Sequence, residues 1–556
     1  MKRLLAQPGG QSVIIVLFAA VLFMPFSGKP FHIDSPVTIY IAEQLLENPL
    51  DPPAGEFGPL LAPWNHTELP PSSAFHATPH PPLISFYTAG IIKLFGSGEK
   101  AVNRAFFPFY AGTLLFFFGL CIRFGIRNRM PAALLFAVSP VLFINAQNVM
   151  YDVPLAMFCA GSFFCMFRSG SVSDAFLAGL FAGCACLVKF TAGTMLIAGT
   201  VYFIARKDWR SLLVFLGASG GLNLLWLLHN LHFFHAWQLT QNGHARYIPG
   251  DLRYRLERMA AYIGGGYTLP LFPLAVWWLS KKLRLQGILF GGITLLWSVL
   301  LYLFLHYSIP AACFYWLCAF AGGLIVMHLY SPAVIRPAPG TAKDSTGLRR
   351  KVTAPTMLAP EYAVLALHTL LQIIGGVFLT LYVVRYTLSF IFIPILFFIR
   401  TLETTLASQQ QRRFWRIALP VTLALSLMLS VSDYLIVNAE KRIADDVTRR
   451  YPKTNVFYKG RLGYLYYMHK AGCSSLTAQK PLKQGDLVVE NCFYRDDVDF
   501  FNANRTSLHL IDSCTYPLFP LCTIGGRAGF YGNDRLPYAL NTFNNCRKFR
   551  LYRFTK

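Results

Sequence analysis

Charge is what this chain has least of. Asp, Glu, Lys and Arg make up 14% of its 556 residues, against about 25% in an ordinary soluble domain. A soluble protein of this size needs charge to cover its surface, and here there is too little. The shortage is one-sided, with 26 acidic side chains against 50 basic ones and a formal net charge of +24. Apolar residues fill 54% of the chain, and the mean hydropathy is positive. A disordered chain, a nucleic-acid-binding protein and a soluble multidomain enzyme are excluded, which leaves a polytopic membrane protein. Several chemical signatures are also missing: there is no Walker loop, no Gly-rich dinucleotide fingerprint, no serine nucleophile elbow and no metal-finger spacing.

The basic residues are present in clusters. Lys2 and Arg3 come first, then Arg123, Arg127 and Arg129, then Arg206, Lys207 and Arg210, then Lys281, Lys282 and Arg284. The last two clusters run from Arg336 to Lys351 and from Arg400 to Arg416. Each abuts an apolar segment of near-spanning length, the pattern of the positive-inside rule, so no nucleic-acid partner is implied. About thirteen such segments are expected, at roughly 12–26, 101–122, 131–147, 153–167, 175–188, 191–205, 211–229, 259–279, 287–306, 311–330, 362–384, 387–400 and 416–436. Starting inside, an odd number of crossings puts every basic cluster on the cytoplasmic side and the C-terminal region outside. The first segment reads as an uncleaved anchor, because no small-residue cleavage site follows it cleanly.

The expected fold is therefore mainly α. Residues 1–437 form a transmembrane domain, within which 27–100 is an external first loop carrying interfacial helices at 39–46 and 83–95. Residues 438–556 form a soluble α/β domain, where apolar runs vanish and short β-prone pieces alternate with turn residues. Five of the twelve cysteines lie there (Cys473, Cys492, Cys514, Cys522 and Cys546), and an oxidising exterior would permit disulfides without fixing their pairing. The segment 231–259 breaks the charge rule with Arg246, Arg253, Arg255 and Arg258 outside, which suggests a local task such as holding an anion.

Four ionisable residues at expected external helix ends carry the chemistry. Asp34 follows the first span and could deprotonate an acceptor hydroxyl or amine beside a lipid-borne donor. Before Ser35 and Pro36 it suits a helix N-cap equally well. Asp152 falls at the same boundary, where acids are costly and mark function, although it too could cap a helix with Pro154 in the first turn. Lys189 and Arg385, each between two apolar segments, could neutralise a phosphate or simply snorkel to the headgroups. His80, in a loop before two prolines, could donate a hydrogen bond. The external histidines His32, His66, His76, His80, His232, His235 and His244 show no ligand spacing, so no metal or other cofactor is expected.

The order of these features resembles a known family. An acid opens the long first loop, and His80-Pro-Pro-Leu83 leads to Leu94-Phe-Gly96 and Glu99. Then come Asn148 to Pro154, Gly183 to Lys189, Val384-Arg-Tyr386, and a tail with Gly460 to Tyr467 and Gly485 to Val489. The chain resembles the polytopic glycosyltransferases of the C superfamily, nearest to the protein O-mannosyltransferase and aminoarabinose lipid A transferase group. The resemblance implies inverting transfer of a sugar from a polyprenyl-phosphate carrier to lipid A, another glycan or a protein. It implies catalytic work for Asp34 and Asp152, and carrier-phosphate binding by Lys189, Arg385, His80, Arg246 and Arg253. It also implies a bacterial inner membrane, with the N-terminus cytoplasmic and the tail periplasmic. Two departures stand out: Asp34 is followed by Ser35 where one branch has Asp-Glu, and Pro79-His80 stands where the other has Glu-Lys. A histidine supplies a weaker, pH-dependent positive charge than lysine. The alternatives are a ligase or polymerase using a lipid diphosphate, and a non-enzymatic transporter or flippase.

Overall fold

The computed structural model describes residues 7–53, 73–78, 80–235, 252–267, 359–378, 383–460, 462–476, 481–492, 505–517, 521–524, 528–531, 536–540 and 546–555, with a few residues of a helix at 315–323. Most of these are helical. The helices are α1 (Pro8–Phe23, prolonged by a 3-10 turn to Phe26), α2 (Ser35–Glu47), α3 (Leu83–Phe95), α4 (Glu99–Arg123), α5 (Arg129–Ala137) and α6 (Pro140–Ala146). There follow α7 (Asp152–Arg168), α8 (Val172–Val188), α9 (Gly193–Ala205), α10 (Trp209–Phe234), α11 (Leu252–Tyr267), α12 (Ala359–Phe378), α13 (Phe392–Thr405), α14 (Ser408–Arg450) and α15 (Leu462–Lys470).

Among the described residues, five helical stretches are long and apolar enough to cross a membrane. They are Pro8–Phe26, Glu99–Arg123, Trp209–Phe234, Pro360–Val377 and Ser408–Arg450, and a bent pair would make six. They support an integral membrane protein. The expected thirteen is not reached, for identifiable reasons. The segment read as one span at 131–147 is two helices, α5 and α6, bent by 60°. Pro140 opens α6 and holds Ser139 in extended backbone, which no continuous helix tolerates. The α7 and α8 helices have 17 residues each and α9 has 13, short of the ~20 that a perpendicular span needs. The segment expected at 387–400 begins instead as a 3-10 turn, Val384–Ser389, and α13 starts at Phe392 with Pro394 in its first turn. The span expected at 287–306, and most of that at 311–330, lie outside the described residues.

Close helix packing positions the ends that matter. Gly179 and Gly183 of α8, four apart, face α10 so closely that a Cβ at Gly179 would lie 2.5 Å from the Phe215 carbonyl oxygen. One at Gly183 would lie 3.0 Å from the Ser219 Cα. Small residues at this spacing let two helix backbones meet where lipid offers no hydrophobic drive. The Glu403 carboxylate of α13 accepts hydrogen bonds from the backbone N–H groups of Arg127 (2.9 Å) and Asn128 (2.6 Å). The basic turn between α4 and α5 is thereby tied to the end of α13.

Beyond α14, a five-stranded sheet is built from β1 (Val456–Lys459), β2 (Ser474–Ser475), β3 (Leu487–Asn491), β4 (Leu508–Pro517) and, after the short pair β5 (Leu521–Cys522) and β6 (Ala539–Leu540), β7 (Cys546–Phe554). The order is β2-β1-β3-β7-β4, with β1 parallel to β2 and β3, and β7 antiparallel to β3 and β4. Leu487, Val488 and Val489 are buried on both faces, as a central strand requires. The α14 helix runs unbroken for 43 residues through position 437, so one rod joins the apolar helices to the sheet. Cys473, Cys492, Cys514 and Cys522 are unbridged.

A bulky side chain at Gly179 should force α8 and α10 apart. Gly179→Leu should lower the thermal midpoint of the detergent-purified protein clearly below that of Gly220→Leu, because nothing lies within 4 Å of a Cβ at Gly220. Equal midpoints would show that the close approach does not hold these helices.

Candidate active site at one end of the helices

Four helix ends meet in one charged cluster. Asp34 stands at the N-cap of α2, yet its side chain makes no capping hydrogen bond. It turns instead to Arg385, with Oδ2 2.7 Å from Nη2. Ile33, just before it, has φ of 51°, a left-handed conformation that a β-branched residue adopts only under constraint. This kink sends His32 into the interior while Asp34 faces the cluster.

Asp152 is the first residue of α7, where the helix dipole favours an anion. Its Oδ1 takes a hydrogen bond from Lys189 Nζ at 2.6 Å, and its Oδ2 lies 3.3 Å from Arg385 Nε. The second contact is an ion pair without hydrogen-bond alignment. Lys189 closes α8 and does not snorkel: its side chain is 7% exposed, with the ammonium 4.1 Å above the Tyr386 ring. Arg385 sits in the 3-10 turn before α13. Its guanidinium also meets the Met150 sulfur at 3.3 Å and the rings of Tyr386 and Tyr531 at 5.7 and 5.8 Å. Two acids and two cations sum to zero charge. Of the four side chains, Asp34 is the most open at 27%, while Asp152 is 1% exposed.

His80 is half-buried, its ring 4.3 Å from that of Tyr151, next to Asp152. The Tyr151 hydroxyl is 3.2 Å from Thr38 on α2. Arg246 lies outside the described residues, as does the side chain of Arg253 on α11. In the same segment, Arg255 donates to the Val377 carbonyl at 2.6 Å. Among the described residues, no group of three His, Cys, Asp or Glu side chains is placed to hold a metal ion.

A second buried network adjoins the first and was not foreseen. Asp433, inside α14, receives the Lys29 ammonium and the Thr523 hydroxyl, and the Tyr531 hydroxyl at 3.1 Å. Asp433, Lys29 and Thr523 are fully buried. The signal was present: an acid inside the apolar run 416–436 is a functional hypothesis by default. His32 lies edge-on to Tyr531 at 5.1 Å, and its two ring nitrogens have no hydrogen-bond partner among the described residues. Burial, more than any charge, pushes its pKa down to about 3. Asp433 opposes that shift, while Lys29, Arg547 and Arg385 reinforce it.

Residues 79–230 match the model of the dolichyl-phosphate-mannose-protein mannosyltransferase family. The matched stretch contains His80, Asp152 and Lys189. The match spans 152 of the 556 residues, less than half of the chain. No curated protein sequence matches the chain. Among solved structures, ArnT from Cupriavidus metallidurans bound to undecaprenyl phosphate is similar at 14% identity over 97% of each chain, with a TM-score of 0.40. The Archaeoglobus fulgidus oligosaccharyltransferase in complex with Zn and sulfate is 11% identical over 84% of this chain and 62% of its own, with a TM-score of 0.46. The arabinosyltransferase EmbB from Mycobacterium smegmatis is 12% identical over 87% and 44%, with a TM-score of 0.33.

The depressed His32 pKa has a consequence for stability. The folded protein keeps this ring neutral down to about pH 3, whereas an unfolded chain protonates it near 6.5. Its contribution is whole above pH 6.5 and drains away as pH falls, by about 1.4 kcal/mol per unit. His32→Phe keeps the ring and removes the proton site. Its thermal midpoint should therefore fall less steeply than that of the wild type as the pH drops below 6.5, and parallel curves would refute the buried neutral histidine.

Proposed function

We propose that this protein transfers a sugar from a polyprenyl-phosphate carrier to an acceptor hydroxyl or amine, with inversion, on the outer side of a bacterial inner membrane. The observation that carries the reading is the convergence of Asp34, Asp152, Lys189 and Arg385, drawn from positions 351 residues apart, at one end of the helices. In this reading the N-terminus is cytoplasmic. Residues 1–437 hold the chemistry, and 438–556 form a periplasmic domain.

The reaction is a direct displacement at the anomeric carbon. The acceptor oxygen or nitrogen forms its bond to that carbon as the bond to the carrier phosphate oxygen breaks. The electron pair leaves with the phosphate, and the acceptor proton passes to the Asp34 carboxylate. A lipid phosphate is a stable anion, so the site needs cations for the leaving group and a base for the acceptor more than it needs a strong general acid. Arg385 and Lys189 meet the phosphate, with His80 beside them and the Arg246 and Arg253 segment contributing further positive charge. Asp34 is the base because its carboxylate is the exposed one. Asp152 holds the two cations in place from below. As the donor phosphate draws on Arg385, Asp34 loses part of its compensating charge and becomes a better base.

The decisive experiment assays purified protein with labelled polyprenyl-phosphate sugars. Asp34→Asn should reduce turnover by about a hundredfold or more, the usual range for a positioned base. Lys189→Ala should reduce it by at least about tenfold, the loss of one charge-assisted contact to phosphate. Wild-type turnover in both variants would remove these roles. Transfer from a lipid diphosphate alone would turn the reading to the ligase class.

A further inference from the structure

We propose that Tyr531 is a positioning residue for Arg385, so that the chain beyond α14 completes the phosphate-binding end of the site; this rests on the transferase reading above. Tyr531 lies almost 150 residues after Arg385 in sequence, yet two independent contacts join their segments. The Val384 backbone N–H donates to the Gly529 carbonyl at 3.2 Å, directly beside Arg385. The Tyr531 ring lies 5.8 Å from the Arg385 guanidinium carbon, a cation–π distance, with Tyr386 at 5.7 Å.

The ring is itself pinned. Its hydroxyl donates to Asp433 Oδ2 at 3.1 Å and accepts from Asn148 Nδ2 at 3.0 Å. Asn148 is four residues before Asp152, one of the two acids that pair with Arg385. Asp433 cannot drift, because the Lys29 ammonium and the Thr523 hydroxyl also hold it. With its hydroxyl engaged on both sides, Tyr531 has no polar atom left for chemistry. What it offers is a fixed face against which the guanidinium rests, on top of the two carboxylates, the Met150 sulfur and the Tyr386 ring.

The charge of the carrier separates this role from simple support of the fold. The donor is a phosphodiester with one negative charge, whereas the released carrier is a monoester carrying close to two at neutral pH. An aligned guanidinium therefore grips the released carrier harder than the donor. Loss of alignment should weaken inhibition by polyprenyl phosphate more than it raises the donor KM. A fold defect lowers the amount of active protein and leaves both constants alone.

The test uses full-length wild type, Tyr531→Phe and Tyr531→Leu, purified in detergent and compared at equal amounts of folded protein. Tyr531→Leu should raise the inhibition constant of polyprenyl phosphate about tenfold, between the values of an exposed and a desolvated cation–π contact, with a smaller rise in donor KM. Tyr531→Phe keeps the ring, loses the anchor and should fall between. Unchanged inhibition constant and KM in both variants would overturn the proposal and leave Tyr531 as fold support. Should the wild type transfer no sugar, the transferase reading falls. Direct binding of polyprenyl phosphate then decides for Tyr531: weaker binding by Tyr531→Leu upholds its role, and absent or equal binding overturns it.

Discussion

Everything at this site depends on a carboxylate that water hardly reaches. Taking Asp152 out of solvent costs several kcal/mol, and neither Lys189 nor Arg385 could be buried beside it uncompensated. Each charge makes the others tolerable, and the helix ends help. Asp152 opens α7 and Lys189 closes α8, so each meets the end of the helix dipole that favours its sign. Such a cluster is a poor way to stabilise a protein, since apolar residues of similar size would pack as well or better. A chain this short of acids has nevertheless placed two of them here. That is an argument for chemistry rather than for architecture.

The cluster exists only if several helices stop at the same level. The first-loop helix α2 presents Asp34 through the left-handed turn at Ile33, and the 3-10 turn before α13 presents Arg385. The Gly179–Gly183 face lets α8 lie directly against α10, and this sets the height at which Lys189 emerges. Backbone geometry in each case does what a side chain alone could not: it ends a regular element where the charge is needed.

Much of this was legible in the sequence, for a simple physical reason. In an apolar chain a charge is conspicuous, and Asp34, Asp152, Lys189 and Arg385 each stand at or near the end of an expected apolar segment. What stayed hidden was of two kinds. The break at Pro140 was concealed because hydropathy averages over it, although the proline announces the bend. Tyr531 and Lys29 were hidden because each has an innocent local explanation. A tyrosine in a polar tail and a lysine flanking a first span call for nothing until the fold joins them, whereas Asp433 was a signal passed over, an acid inside an apolar run. Asp34 shows the converse. It does occupy the capping position that its neighbours suggest, but the carboxylate is spent on Arg385 instead.

The second network also bears on how the tail relates to the helices. A loosely tethered domain would meet them through exposed polar contacts, whereas here the joints are buried. Asp433 and Glu440, two turns apart on α14, each bind a cation from elsewhere in the chain: Lys29 from the first loop and Arg547 from β7. Lys441 adds a third link to Glu99 at the start of α4, which also receives the Tyr467 hydroxyl from α15. Leaving Glu440 or Arg547 unpaired would cost several kcal/mol, so separation of the sheet from the helices is penalised there, and the partly exposed Lys441–Glu99 pair adds a weaker tie. The long rod of α14 therefore acts less as a linker than as a spine. Along its length, the segments that fix Asp34 and those that fix Tyr531 are locked to one another.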